Sequence, residues 1–209
     1  MSRLFAAIYD PFMRKSEESC LQDWRHALLS SLEGRVLEIG AGTGANLAHY
    51  PTSLERLVLT DHDKDMLKRL SRRLDESGRD KTKVEVVVSE SDTLPFADRS
   101  FDTVVSTLVL CSVPDVAQTL REVHRVLRPG GTLVFLEHVA AEDNPKRLRW
   151  QKRLEPFWAP ISGNCHLTRT TARSIEDAGF AIESITKDSM RKSLPIVRAT
   201  IRGVARSHA

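Results

Sequence analysis

The sequence has few cysteines and lacks any long apolar run. Its three cysteines, Cys20, Cys111 and Cys165, are an odd number without a CxxC pair, which argues against a disulfide framework and favours a reducing compartment. No apolar run approaches the roughly 20 residues that cross a bilayer. Residues 1–9 are apolar but lack the length and cleavage pattern of a secretory signal. We therefore expect a cytoplasmic location and no stable membrane insertion.

An excess of charge of one sign is also missing. The 31 basic and 28 acidic residues leave a net charge of +3, without the concentrated basic face that is typical of nucleic-acid binders. We therefore expect no nucleic-acid partner. The 209 residues, 41% of them hydrophobic, predict a single globular domain over residues 1–209 that can bury a full core.

A buried strand followed at once by a glycine-rich turn is the strongest local pattern. It reads Val-Leu-Glu-Ile-Gly-Ala-Gly-Thr-Gly-Ala over residues 36–45. Glycines let the backbone approach a ligand where a Cβ would collide. Asp61 follows about twenty residues later, at the spacing of a carboxylate that binds ribose hydroxyls. The pattern predicts that a nucleoside-containing cofactor sits on this turn.

Two cofactors fit this turn. Gly40, Gly42 and Ala45 satisfy the dinucleotide fingerprint, in which a pyrophosphate lies at a helix N-terminus. S-adenosylmethionine (SAM) has no phosphate and carries an ammonium and a sulfonium. Glu38 would repel a pyrophosphate and suit a cationic methionine end, which favours SAM. An NAD-dependent oxidoreductase and a non-catalytic SAM-binding protein remain alternatives.

Strand and helix patterns alternate along most of the chain, which predicts a parallel sheet with right-handed crossovers. Residues 139–169 break the alternation. The predicted strands lie near 35–39, 56–60, 83–88, 102–109, 131–137, 180–186 and 196–203, and the predicted helices at 15–32, 43–49, 64–76, 115–127 and 170–178.

Two further motifs accompany the glycine turn, in order along the chain. They are Leu-Pro-Phe-Ala-Asp-Arg-Ser-Phe-Asp at 94–102 and Leu-Arg-Pro-Gly-Gly at 127–131. With them, residues 34–138 resemble the class I SAM-dependent methyltransferases. The resemblance implies an α/β fold, a Rossmann-like three-layer sandwich around a seven-stranded, mostly parallel sheet with an antiparallel last strand. It also implies SAM as methyl donor, S-adenosyl-L-homocysteine as product and a small-molecule acceptor.

The same resemblance assigns cofactor contacts at the carboxyl ends of the strands, where open parallel sheets bind ligands. The turn holds the methionine portion, the second strand end holds the ribose and adenine, the third strand end contacts adenine, and the fourth lines the sulfonium pocket. The implied residues are Glu38, Gly40, Ala41, Gly42, Gly44, Asp61, His62, Glu90, Ser91 and Thr107.

A narrower resemblance concerns the methyl acceptor. Residues 107–113, residues 135–139, Trp158 and residues 164–169 are similar to stretches of the methyltransferase-like alkyl thiol S-methyltransferases. This favours a thiol acceptor. The quinone-pathway C-methyltransferases share the core motifs, so C- or O-methylation of a quinone-type or phenolic acceptor is the alternative.

The need for a catalytic base depends on the acceptor. A thiol is partly ionised at neutral pH, whereas a hydroxyl or an activated carbon needs a positioned base. His138, just past the fifth strand, is the first candidate for such a base, and His166 is the second.

Residues outside the core are expected to surround the acceptor. We expect residues 1–33 to form an N-terminal helical lid and residues 139–169 a substrate-cap insertion. Tyr9, Cys111, Trp150 and Trp158 are the predicted pocket residues. No metal is predicted, because the Cys165-His166 pair has no companions at metal-ligand spacing.

Overall fold

Seven strands form the centre of the fold. They are β1 (Arg35–Ile39), β2 (Arg56–Asp61), β3 (Val84–Val88), β4 (Phe101–Thr107), β5 (Leu127–His138), β6 (Phe180–Ser189) and β7 (Ala199–Ser207). The computed structural model describes the backbone of residues 3–208 and the side chains of residues 9–208.

Within residues 3–208, six α-helices accompany the sheet, with a five-residue π-helical turn, Glu17–Leu21, between the first two. They are α1 (Arg3–Ser16), α2 (Gln22–Leu29), α3 (Lys64–Glu76), α4 (Val116–Val126), α5 (Pro145–Trp158) and α6 (Thr171–Asp177). Short 3₁₀ helices lie at Leu47–His49, Lys81–Lys83 and Pro195–Val197. No described helix is both long and apolar enough to cross a bilayer.

The strand order confirms the predicted sheet. It is β3-β2-β1-β4-β5-β7-β6, with β1 between β2 and β4 in parallel register. β7 pairs antiparallel with both β5 and β6, so it is the only antiparallel strand of this sheet. The order reverses at β1, and the ends of β1 and β4 therefore border the crevice in which such sheets bind ligands.

Apolar side chains cover both faces of the central strands, because successive strand residues point to opposite faces. One face packs on α2 and α3, and the other packs on α4 and α6. The first layer includes Leu29, Val36, Leu57, Leu59, Leu70, Val105 and Val134; the second includes Leu37, Ile39, Val58, Val104, Leu120, Val123, Phe135 and Ile175.

Helix α3 shows how local sequence fixes an element. Asp63 caps it by accepting hydrogen bonds from the backbone N–H groups of Asp65 (2.8 Å) and Met66 (3.3 Å). The predicted helix at 64–76 is confirmed, and its apolar side chains at helical spacing are buried: Met66, Leu67, Leu70 and Leu74.

The predicted helix at 43–49 is wrong. Residues 43–46 form turns, and a single 3₁₀ turn follows at Leu47–His49. Gly44 has φ +86°, which a right-handed helix does not allow. The segment between β1 and β2 is therefore a compact loop held by bonds such as Leu47 N–H to the Gly44 carbonyl (3.1 Å).

The first helix is longer than the sequence predicts. α1 spans Arg3–Ser16 and contains Pro11, whereas the predicted helix begins at residue 15. The predicted helix at 15–32 is divided by the π-helical turn, which shifts the residues that follow relative to a continuous α-helix. α2 ends at Leu29, which is fully buried, and Leu32, beyond the end of the helix, is only partly buried.

Candidate active site

Two adjoining cavities lie beside the sheet. The larger one, of about 630 Å³, lies at the carboxyl ends of β1, β2 and β4. Its volume is in the range of small-molecule sites. α1, the glycine turn and the loop before α6 contribute to its wall. Its lining residues are Tyr9, Gly40, Gly42, Asp61, His62, Met66, Glu90, Ser91, Asp92, Leu108, Val109, Ser112, Val113, Pro114, Thr119, Ser162, Gly163 and Asn164.

Two glycines present bare backbone to the larger cavity. Gly40 has φ +61°, and a Cβ there would overlap the side chain of Val109. Gly42 has φ +55°, and a Cβ there would meet no atom within 4 Å. Residues with side chains rarely adopt this left-handed conformation. The turn therefore suits a ligand that lies directly against the main chain.

Asp61 joins the glycine turn to the end of β2. Its Oδ2 accepts the Gly42 N–H (2.9 Å), and its Oδ1 accepts the Asp63 N–H (2.8 Å). Each carboxylate oxygen has a second lone-pair site. Asp61 thus shapes the turn while keeping acceptor capacity toward the cavity, which fits the predicted ribose contact.

Glu38 does not lie where the sequence reasoning placed it. It is 2% exposed and lines neither this cavity nor the smaller one described below. Its oxygens accept hydrogen bonds from Asn46 Nδ2 and Tyr50 Oη, each at 2.8 Å. Burial raises its pKa to about 7. Glu38 therefore braces the loop through Asn46 and Tyr50, and its contact with the cationic end of the donor stays a prediction.

Thr107 belongs to the same buried network. Its Oγ1 accepts from Asn46 Nδ2 (2.9 Å) and Arg25 Nη1 (3.1 Å), and Arg25 in turn pairs with Glu17 of the π-helical turn (2.9 Å). Thr107 does not line the larger cavity. This network, which the sequence did not reveal, ties the N-terminal helices to the tips of β1 and β4.

The remaining predicted cofactor residues divide into two groups. His62, Glu90 and Ser91 line the larger cavity. Ala41 and Gly44 do not. The Ala41 N–H donates to the Thr60 carbonyl (2.8 Å), and Gly44 packs against Leu70 of α3.

The smaller cavity, of about 310 Å³, adjoins the larger one. The two share Tyr9, Leu108, Ser112 and Ser162. Among the described residues that line it, none is Asp, Glu, Lys or Arg. The lining residues are Tyr9, Phe12, Met13, Leu108, Cys111, Ser112, His138, Trp158, Ile161, Ser162, Cys165, Met190, Leu194 and Val197.

Leu108 stands between the cavities in a strained conformation. Its φ is +61°, which is uncommon for a residue with a side chain. Its N–H donates to the Leu136 carbonyl (2.7 Å), which extends the pairing of β4 with β5. The chain thus turns sharply after β4, and the turn carries Val109, Cys111 and Ser112 to the cavity walls.

The loop before α6 is bound to the segment after β4. His166 N–H donates to the Cys111 carbonyl (2.8 Å), Asn164 Nδ2 to the Ser112 carbonyl (2.8 Å), and Arg169 Nη2 to the Val113 carbonyl (2.6 Å). Two stretches that are far apart in sequence therefore form one wall, which places Cys165 next to Cys111.

Cys111, His138 and Cys165 form a cluster on this wall. Their ligand atoms, two sulfurs and an imidazole nitrogen, all lie within 4.8 Å of one another. Cys165 Sγ is 3.6 Å from His138 Nδ1. His138 is 2% exposed, and its Nε2 has no hydrogen-bond partner among the described residues. The cluster can bind or exchange a proton, and its donor set also suits a soft metal ion.

Glu137 supports the cluster from within the sheet. It is fully buried and accepts hydrogen bonds from Ser106 Oγ (2.7 Å), Val109 N–H (3.2 Å) and Cys111 N–H (3.4 Å). Burial raises its pKa to about 7. Glu137 therefore fixes the turn after β4 on which Cys111 stands.

The other predicted acceptor-side residues also divide. Tyr9, Cys111, His138 and Trp158 line the smaller cavity. His166 lines neither cavity, and its Nδ1 lies 3.1 Å from Glu155 Oε1. Trp150 is 57% exposed, lies beside Arg153 and also lines neither cavity.

Several cavity residues were absent from the sequence-based set. Ser112 and Asn164 lie inside the motifs at 107–113 and 164–169, so these motifs could have been used to predict them as cavity residues. Phe12, Met190 and Val197 come from α1 and from the segment between β6 and β7, where the sequence has no distinguishing pattern.

Comparison with known proteins agrees with this geometry. A family model described as a methyltransferase domain matches residues 37–135. The chain is 38% identical to thiol S-methyltransferase TMT1B of Rattus norvegicus, over 87% of this chain and 73% of that protein. It is 35% identical to thiol S-methyltransferase TMT1A of Homo sapiens, over 96% of this chain and 82% of that protein.

A solved structure extends the likeness to the fold. A SAM-dependent methyltransferase from Methanosarcina mazei has a TM-score of 0.67 to this chain at 23% identity, covering 88% of this chain and 96% of that one. Together with the methyltransferase domain match, the fold and the bare glycine turn, these findings make SAM the cofactor. The chain belongs to the class I SAM-dependent methyltransferases.

Proposed function

We propose that this enzyme methylates the sulfur of a small, neutral, apolar thiol. In this proposal SAM occupies the larger cavity and the acceptor occupies the smaller one. The observation that carries the proposal is the apolar cavity that adjoins the larger cavity and is lined by His138, whose buried Nε2 has no partner among the described residues. The thiol S-methyltransferase names of the relatives support the choice of sulfur.

The residues of the larger cavity would hold SAM through main chain and carboxylate. Gly42 leaves its main chain open to the ligand, Gly40 allows Val109 to pack against the turn, and Asp61 would accept the ribose hydroxyls. His62, Glu90 and Ser91 are the proposed adenine contacts. When bound, SAM would supply a methyl group that its sulfonium activates for transfer.

The smaller cavity sets the class of acceptor. About 310 Å³ admits a small molecule only, and the described lining has no carboxylate, ammonium or guanidinium to pair with a charged acceptor. Burying an unpaired charge there would cost several kcal/mol. A neutral thiol also brings no tightly held hydration shell into the cavity. The exclusion of water suits a displacement reaction.

His138 is the proposed proton acceptor. A thiol of ordinary pKa, about 8.5, is only a few per cent ionised at neutral pH. The Nε2 of His138 is buried and unpartnered among the described residues, and the imidazole lines the smaller cavity. Taking the thiol proton would give this nitrogen the partner that it lacks and leave a thiolate as nucleophile.

The N-terminal lid and the 139–169 cap belong to the proposal as well. α1 contributes Tyr9 to both cavities. Its Asp10 accepts a hydrogen bond from Thr43 of the glycine turn (2.6 Å) and pairs with Arg73 of α3 (2.5 Å). This contact would hold α1 over the bound cofactor. A cytoplasmic location and the lack of a nucleic-acid partner remain predictions.

A product assay tests the proposed function. The purified protein is incubated with SAM and a panel of thiols, phenols, amines and quinone precursors, and methylated products are detected by mass spectrometry. We expect S-methylated products from small neutral thiols and weaker or no product from thiols that carry a charge. Product from phenols or quinols alone would contradict the proposal.

A further inference from the structure

We propose that Cys111, His138 and Cys165 form a binding site for one divalent ion of the zinc type, and that the bound ion inhibits methyl transfer. An ion of this type prefers sulfur and nitrogen ligands. The inhibition rests on the proposed thiol methylation, whereas the binding of the ion does not.

Three ligand atoms converge at this site. The two sulfurs and an imidazole nitrogen lie within 4.8 Å of one another, and Cys165 Sγ is 3.6 Å from His138 Nδ1. Zinc bonds of about 2.3 Å to sulfur and about 2.0 Å to nitrogen, at tetrahedral angles, place such a pair of atoms about 3.5 Å apart. A hydrogen-bonded thiol gives a similar separation, so the indication of a metal site comes from the third ligand, Cys111. The sequence did not predict this set, because the three residues come from separate segments of the chain.

The backbone that carries the two cysteines is ordered by contacts that need no ion. His166 N–H donates to the Cys111 carbonyl (2.8 Å), and Asn164 Nδ2 donates to the Ser112 carbonyl (2.8 Å). The Cys111 N–H also donates to the buried carboxyl of Glu137 (3.4 Å). Because the segments are already joined, binding of an ion costs little further conformational entropy.

The charge of the ligand set favours a divalent ion. Binding converts both thiols to thiolates and releases their protons to solvent, without a redox change. Two thiolates and a neutral imidazole then neutralise the charge of one divalent ion. The described lining of the smaller cavity has no Asp, Glu, Lys or Arg, so a complex with net charge would be buried there at a cost. Mg²⁺ and Ca²⁺ do not suit the site, because they prefer oxygen ligands.

The ligand set is open on the side of the acceptor. A structural zinc site is normally closed by four protein ligands, whereas the described residues offer three here. All three line the smaller cavity, so the fourth coordination position faces the proposed acceptor. The second nitrogen of a metal-binding histidine usually donates to a neighbouring acceptor, and His138 Nε2 has no such partner among the described residues. These features indicate an ion that binds reversibly and that the fold does not need.

An ion on Nδ1 removes the proton-accepting role that we propose for His138. A neutral imidazole that binds a metal through Nδ1 carries its hydrogen on Nε2. Nε2 then has no lone pair with which to accept the proton of a thiol. The ion and the ligand in its fourth position also occupy the cavity wall against which the acceptor would lie. We therefore expect the metal-free enzyme to be active and the metal-bound enzyme to be inhibited.

The first test measures binding with Co²⁺, a coloured substitute for Zn²⁺. The full chain, reduced and freed of metal by a chelator, is titrated with Co²⁺, which absorbs strongly in the near ultraviolet when thiolates bind it. We expect one equivalent to bind and Zn²⁺ to displace it. Cys20→Ser, which removes a buried thiol outside both cavities, should bind Co²⁺ as the wild type does. Cys111→Ser and Cys165→Ser should bind it about 100-fold or more weakly, since each loses a ligand.

A second measurement on the wild type does not depend on the folding of a variant. Zn²⁺ should slow the alkylation of Cys165 by iodoacetamide, followed by peptide mass spectrometry, and should leave the rate at Cys20 unchanged. If the wild type shows no thiolate-to-cobalt absorption, or if all three variants absorb equally, there is no ion site at this cluster.

The second test measures inhibition. Methylation of an alkyl thiol by the wild type is followed while a metal buffer sets the free Zn²⁺ concentration, so that binding of Zn²⁺ by the substrate does not change it. At about ten times the dissociation constant of the ion, kcat/KM should fall about tenfold, because about a tenth of the enzyme remains free of metal. A chelator should restore the activity. SAM affinity by calorimetry should not change with Zn²⁺, which shows that the ion does not act in the larger cavity.

The outcomes separate this inference from the proposed function. If the metal-free wild type methylates no thiol with or without Zn²⁺, the proposed function fails, and Co²⁺ binding still decides whether the ion site exists. If the enzyme methylates thiols and binds Zn²⁺ without loss of activity, the inhibition is wrong. If Zn²⁺ is needed for activity, both the inhibition and the role of His138 as proton acceptor are overturned.

Discussion

The two cavities are built from different kinds of structure. The larger cavity is formed largely by strand ends and main chain, with Gly40, Gly42 and Asp61 at the tips of two neighbouring strands. The smaller cavity is formed mostly by side chains from α1, α5, the loop before α6 and the segment between β6 and β7, with Leu108, Cys111, Ser112 and His138 from the ends of β4 and β5. In the proposed assignment, the donor is therefore held by the shared fold and the acceptor largely by elements around that fold.

Asp61→Ala should have the largest effect, on the donor side. It removes the proposed ribose acceptor and also leaves the N–H groups of Gly42 and Asp63 without their partner. We expect SAM affinity to fall by about 100-fold or more, since two buried hydrogen bonds and a ligand contact are lost. Calorimetry measures this.

Asp75→Ala is the matched control for that substitution. Asp75 lies on α3 and forms an exposed ion pair with Lys81. Its removal should leave SAM affinity unchanged within about twofold, because exposed ion pairs contribute little. Unchanged affinity in Asp61→Ala as well would contradict the placement of the donor.

His138→Ala should separate chemistry from donor binding. We expect kcat for an alkyl thiol to fall by about 10²- to 10³-fold at pH 7, as for the loss of a general base, with SAM affinity unchanged. His166→Ala, which removes a histidine outside both cavities, should keep kcat within about threefold. Equal losses in the two variants would mean that the smaller cavity is not the acceptor site.

Val197→Phe should alter the acceptor side by filling it. Val197 is a buried part of the smaller cavity. The added ring should raise KM for a thiol by about tenfold, which corresponds to about 1.4 kcal/mol. SAM affinity should not change. Val197→Ala is the control, and it should accept bulkier thiols. A SAM affinity that changes with the size of residue 197 would mean that the smaller cavity is not separate from the donor site.

Glu38→Gln should have the smallest effect on activity and should act on stability. Burial raises the pKa of Glu38 from 4.5 to about 7. The folded protein therefore binds a proton between these values that the unfolded chain does not bind. The contribution of this proton to the free energy of unfolding is complete below about pH 4.5 and is lost as the pH rises through 7.

The glutamine amide in this variant would keep both hydrogen bonds of the site, because it can accept from Asn46 and donate to the Tyr50 hydroxyl. Relative to the variant, the wild type should lose about 3 kcal/mol at most between pH 4.5 and 7.5. Glu137 titrates in both proteins, so its contribution to the pH dependence of stability cancels in the comparison. Urea unfolding at the two pH values measures the difference, and identical pH dependence would show that Glu38 stays ionised.

The fold and the part of the larger cavity around the glycine turn and Asp61 could be predicted because their signals are local. Strand, glycine turn and Asp61 follow one another at fixed spacing, and the strand ends of a parallel sheet meet at one edge. Glu38 was misplaced for a physical reason. β1 is covered on both faces, so no alternation of polar and apolar residues shows which way a side chain points.

The smaller cavity could be predicted only in part. Cys111, His138 and Cys165 lie in motifs that the sequence revealed, but their contact depends on hydrogen bonds between segments about fifty residues apart. The helix period placed Trp150 near Trp158 without indicating that one faces solvent and the other the cavity. Met190 and Val197 meet the site through long-range packing, which leaves no local pattern.

A crystal structure with S-adenosyl-L-homocysteine and an S-methyl thioether product would show where donor and acceptor bind. We expect the ribose hydroxyls on Asp61 and the thioether in the smaller cavity, with its sulfur facing His138 Nε2. A nucleoside bound away from the glycine turn, or a thioether bound outside the smaller cavity, would contradict this expectation.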